Sequence, residues 1–212
     1  MTNCQFWIQT SVAIAGVVAT LIIAALAIWG QRVRARWAGP KLTLRLLDPQ
    51  GERIDLTDGT NCRFYHLQVT NWRRSSHAQN VRVVLTKVSR PAADGSISPN
   101  ALSGPIQLTW QHGHSLPQYL TLGPPQNADL GNVTRTGVFK LSPIFFATNL
   151  NAVLQPGERM EVETIAVSDE TESAPLCVSI AWDGTWAEDA TQMTHHLTMK
   201  EVACSCDICR AI

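Results

Sequence analysis

Residues 62–88 read CRFYHLQVTNWRRSSHAQNVRVVLTKV, and the reading of this stretch decides the fold class. In Cys62 to Thr70, Tyr65, Leu67 and Val69 fall on one side; in Asn80 to Val88, Val81, Val83 and Leu85 do the same. A period of two is the spacing of side chains on one face of a β-strand, and β-branched and aromatic residues suit that pleated surface. The polar NWRRSSHAQ between them reads as their connection. Two strands, each with one face in a core, are predicted.

Working outward, KLTLRLLD at Lys41 to Asp48 alternates on Leu42, Leu44 and Leu46 and predicts a first strand. Asp48-Pro49-Gln50-Gly51 is turn chemistry, followed by a short partner strand from Arg53 to Thr57. Residues 89–104, SRPAADGSISPNALSG, predict a long surface loop. Short strands follow at Ile106 to Trp110 and Tyr119 to Leu122, then a second loop, GPPQNADLGN, and a strand from Val138 to Leu141. A turn at Leu154-Gln155-Pro156-Gly157-Glu158 feeds Met160 to Val167. Leu176, Val178, Ile180 and Trp182 alternate before the tight reversal Asp183-Gly184. A last strand, roughly Gln192 to Val202, would carry Met193, His195, Leu197 and Met199 on one side. No amphipathic helical period is visible after residue 37. Many short strands with frequent turns predict an all-β sandwich over 41–202.

The stretches YHLQVTN, AQNVRVVL, LQPGERMEVETIAV and CVSIAWDG carry a resemblance. Their strand ends and their Pro-Gly-Glu turn resemble bacterial immunoglobulin-like modules of the cell-adhesion-related kind, over about 41–199. The resemblance implies an immunoglobulin-like β-sandwich with a role in recognition. The loop-rich excursion at 89–143 is an insertion relative to that pattern.

Ahead of this domain, Val12 to Gly30 holds nineteen residues without a charge. As a helix it would cover roughly 28 Å, close to the ~30 Å hydrocarbon thickness of a bilayer. A single transmembrane helix over 12–30 is therefore expected, after a short tail (1–11) and before a basic juxtamembrane linker (31–40). Trp7, Trp29 and Trp37 fall near its ends, and Arg32, Arg34 and Arg36 follow it. By the positive-inside rule these residues would anchor the chain in the inner membrane with the N-terminus outside and the β-domain cytoplasmic.

The chain has 17 basic and 17 acidic residues, and all the acids lie beyond Lys41. No basic stripe remains there to follow a phosphate backbone, so nucleic acid is not an expected partner. The acidic run Glu158, Glu161, Glu163, Asp169, Glu170 and Glu172 reads as a solvated strand face and its loop.

Six cysteines, at 4, 62, 177, 204, 206 and 209, suggest no disulfide framework. Cys204, Cys206 and Cys209 in the tail 203–212, with His196 as fourth donor, form a candidate zinc set, since three thiolates and an imidazole suit tetrahedral zinc. The favoured reading is a loose reduced tail without a cofactor. His112 and His114 could chelate a metal with His66 or His77, although solvated loop histidines are the commoner case. No nucleophile elbow, zinc-protease motif or phosphate loop is present.

These features predict a membrane-anchored, non-catalytic adaptor that presents its sandwich to a protein partner or to a second copy. A metal- or redox-responsive sensor built on the C-terminal cysteines is the alternative. A hydrolase without a recognisable motif is the weaker one.

Overall fold

The computed structural model describes residues 16–27, 30, 39–55, 59–73, 76–91, 97–100, 102, 104–111, 119–135, 137–146 and 150–204. The chain divides into two units, Met1–Gly39 and Pro40–Ile212.

In the first unit a helix, α1, is described over 16–27, and Gly30 is helical as well. Among the described residues no helix is long and apolar enough to cross a membrane. This corrects the expectation of a single span, and with it the inner-membrane placement and topology derived from that span. Trp7, Trp29, Arg32, Arg34, Arg36 and Trp37 lie outside the described residues.

The second unit is a two-sheet antiparallel β-sandwich compatible with an immunoglobulin-like fold. Its first sheet contains β1 (Leu42–Leu46), β2 (Glu52–Asp55), β3 (Asn61–Asn71), β8 (Gln126–Thr134), β9 (Phe139–Leu141) and β10 (Val153–Leu154). The second contains β4 (Ala78–Pro91), β5 (Ile97–Asn100), β6 (Ile106–Gln107), β7 (Leu120–Leu122), β11 (Glu158–Val167), β12 (Leu176–Trp182) and β13 (Leu197–Val202). The opening pair of strands is thus divided between the sheets. β3 pairs with β8 and β4 with β11, and their inner rows, Tyr65, Leu67, Val69 and Val81, Val83, Leu85, are buried in one common core.

Several expectations are corrected. β2 does not fold back on β1, because both run along the same edge of β3, interrupted at Asp48–Gly51. Residues 89–104 are not loop throughout: β4 extends to Pro91 and pairs with β5. The expected loop GPPQNADLGN contains most of β8, a central strand. The expected last strand begins as a helix, α2 (Ala190–His196), whose N-cap Asp189 accepts from Gln192 N at 2.9 Å and whose Met193 is buried.

Two features shape β8. Tyr65 pairs with Gly131 but His66 with Asp129, so Leu130 is an inserted residue and the strand bulges there. Beyond the bulge β8 leaves β9, and residues 108–111 take its place: Gln111 N donates to Asn127 O and Asp129 N to Thr109 O. The same segment donates from Leu108 N to Val83 O in the other sheet, so one strand seams the two sheets together.

Gly131 leaves room for the neighbouring strand. A Cβ there would lie 2.5 Å from the Lys140 carbonyl oxygen and clash with the Cζ edge of the Phe139 ring. Gly131→Ala is therefore expected to lower unfolding stability by roughly 1–3 kcal/mol, as overpacking does in buried sites, measured by urea titration against the parent chain.

Candidate functional site

The bulge sets Asp129 directly opposite His66 on the outer face of the first sheet. His66 is only 4% exposed, although it points away from the sandwich core. Its Nδ1 lies 2.9 Å from Asp129 Oδ1 and its Nε2 3.3 Å from Glu52 Oε2. Burial alone would push the imidazole below its ordinary value, yet the hydrogen bonds and charges of Asp129 and Glu52 outweigh burial and hold it above. The two carboxylates thus favour the protonated ring against the effect of burial.

A polar chain extends from this clamp. Gln111 Nε2 donates to Glu52 Oε2 at 2.9 Å, and Asn127 Nδ2 donates to Gln111 Oε1 at 2.7 Å. Gln68 Nε2 reaches Asn127 Oδ1 at 3.4 Å, and Arg45 in turn donates to Gln68 Oε1. The seam, held to β8 by backbone, is thereby linked through side chains to β2 and, by way of Asn127, to β3. Beside the clamp is a hollow of about 360 Å³ whose walls include Ile54, Phe64, Lys140, Pro143 and Phe146. Phe64 stacks parallel to His66 at 6.4 Å.

The chemistry available here is limited. Both ring nitrogens of His66 face carboxylates, which leaves neither nitrogen to take a proton from a nucleophile. The arrangement works as a charged lock between strands, with an aromatic-walled hollow next to it. A second hollow of about 560 Å³ lies on the outer face of the second sheet, among Val84, Leu102, Ile165 and Val167. Phe145 lines this hollow and Phe146 the first, and the two rings are 58% and 65% exposed.

The sequence-derived candidates are dispersed. His196 ends α2 with Nδ1 2.8 Å from Asp183 Oδ2. Although burial opposes it, bonds from His196 and Thr185 hold the Asp183 carboxyl below its usual range. Cys204 follows β13 and is disulfide-bonded to Cys177. The six residues of β13, about 20 Å of strand, separate it from His196, so the structure does not bring these two together. Cys206, Cys209, His112 and His114 lie outside the described residues.

The acidic run is dispersed as well. Glu158 pairs with Arg90 and Glu161 with Arg159, while Asn80 donates to Asp169 and Gln79 N to Glu170. Trp182 is buried in the core, and Trp186 packs against that core with the Arg63 guanidinium 5.9 Å over its ring. Sequence reasoning reached His66 only as a possible metal ligand and placed Asp129 in a loop. The available signal was a histidine on the polar side of an apolar strand.

Two outcomes are expected. A histidine raised in the folded state stabilises fully below its unfolded value of about 6.5, and that contribution is lost as pH rises through the folded value. Unfolding free energy measured from pH 5.5 to 9 should therefore carry a decline as pH rises beyond about 6.5 that His66→Gln removes. Secondly, burial raises the free Cys62 thiol to about 11. It should stay unreactive toward a thiol reagent at pH 8 until the chain is unfolded.

Comparison with known proteins adds no family to this geometry: no protein-family model matches the chain, and no curated protein matches it.

Proposed function

We propose that residues 40–212 form a non-catalytic recognition domain, an immunoglobulin-like sandwich of the kind found in bacterial cell-adhesion-related modules, and that it grips a protein partner through the Phe145–Phe146 corner. The observation that carries this reading is the exposure of two adjacent phenyl rings, each at the rim of a different hollow. Burying one such side chain is worth about 1.5–3 kcal/mol, and aromatic anchors flanked by pockets dominate protein interfaces.

Two further features support it. Both His66 nitrogens are engaged by carboxylates, which argues for binding over catalysis. The sandwich flanks also leave little for strand addition. Residues 108–111 seam one flank, while Leu46 N donates to Glu201 Oε1 between β1 and β13 on another, where Lys200 and Glu201 also blunt the edge.

The test is site-specific photocrosslinking in the native host, with benzoylphenylalanine at 145 or 146 and, as control, at 200. A discrete protein adduct from 145 and 146 is expected. Excess purified parent domain should compete it away, and a Phe145→Ser, Phe146→Ser double variant of equal unfolding stability should not. Adducts equally strong from position 200, or equal competition by the double variant, would contradict the reading.

A further inference from the structure

The Cys177–Cys204 bond lies beside a carboxylate that no ion pair occupies among the described residues. β11 and β12 are neighbours in which Glu163 is directly opposite Cys177, and Cys204 reaches Cys177 from just past the end of β13. Glu163 Oε2 is 4.0 Å from Cys177 Sγ. The carboxylate oxygen and both sulfurs all lie within 4.8 Å of one another. Thr86 Oγ1 donates to Glu163 Oε1 at 2.8 Å, so one oxygen is held by the protein while the other faces the sulfurs. This is the arrangement by which an outer hydrogen bond orients a ligating carboxylate.

We infer that reduction of this disulfide converts the corner into a zinc site ligated by Cys177, Cys204 and Glu163. A dithiol or phosphine reductant supplies two electrons, the S–S bond breaks, and each sulfur takes up a proton. Zinc binding then releases both protons as two Zn–S bonds form, with Glu163 as third ligand and water completing the tetrahedron.

The geometry permits this with little movement. Tetrahedral zinc with Zn–S near 2.3 Å needs its two sulfurs roughly 3.8 Å apart. Cys177 is fixed within the β12 ladder, so the adjustment falls to Cys204, which follows the last paired residue of β13. Disulfide and metal compete for the same sulfurs and exclude each other. Oxidised, the corner is a covalent clasp between the start of β12 and the end of β13; reduced, it is a metal clasp at the same place. The ligand set differs from the cysteine tail considered from sequence, sharing only Cys204 with it.

The experiment uses the full chain and a Cys206→Ser, Cys209→Ser variant, each with and without phosphine reduction under anaerobic conditions. Cobalt(II) serves as a spectroscopic probe and zinc(II) is measured by competition with a chromophoric chelator. The expected result is one metal per chain in the reduced double-serine variant, with thiolate-to-cobalt charge transfer, and none in the oxidised one. Glu163→Gln should weaken zinc affinity at least tenfold without changing the circular dichroism spectrum, and Cys177→Ser should abolish uptake. Failure of the reduced double-serine variant to bind would overturn the inference and assign any metal seen in the parent to the tail. Equal binding by the oxidised chain, or affinity unaltered by Glu163→Gln, would overturn it as well.

Discussion

The second unit depends on one constraint: β3 and β4 follow each other in the chain, yet each is an interior strand of a different sheet. Their inner rows face each other; β1, β2 and β8 pair directly with β3, and β5, β6, β7 and β11 with β4, while the remaining strands extend the sheets outward from these. Burial drives this arrangement. Full burial of a Val or Leu side chain contributes about 1.5–3 kcal/mol, and both rows are wholly excluded from solvent. A one-residue slip of either strand would turn its apolar row outward, so the register is strongly specified.

Once β3 is fixed, its outer face becomes the place where β8, β2 and the seam strand must agree. The inserted Leu130 allows β8 to keep apolar residues inward while bringing Asp129 across from His66. A buried histidine with both ring nitrogens against carboxylates ties β3 to β8 and β2 at once, and the amide chain through Gln111 and Asn127 adds the seam. Phe145 and Phe146 stand exposed at two hollows, one on each outer face.

The legible part of the fold was the part where period two and burial coincide. β1, β3, β4, β11 and β12 carry apolar residues at a period of two over most of their length and were found within a few residues of their limits. β8 was missed because its bulge breaks the period, and because Asn127, Asp129, Gly131 and Asn132 are turn formers by local chemistry. Here tertiary context overrides that preference: Gly131 is needed by Phe139, and Asp129 by His66. α2 was missed because Thr191 and Thr194 favour a strand, whereas the Asp189 cap decides for a helix. At the N-terminus the apolar run was legible, but among the described residues no helix is long and apolar enough to cross a membrane. The clamp and the Cys177–Cys204 pairing join residues 14 to 63 positions apart, and no local pattern announces them.

The central claim, that residues 126–134 are an interior strand held from both sides, is tested most directly by native-state hydrogen exchange resolved by residue. β8 amides are expected to exchange only through global unfolding, with protection matching β3 and β11. Rapid exchange across 126–134, at the rate of exposed turns such as 183–185, would contradict the account, because the segment would then be a surface loop and the clamp, the seam and the exposed corner would lose their common support.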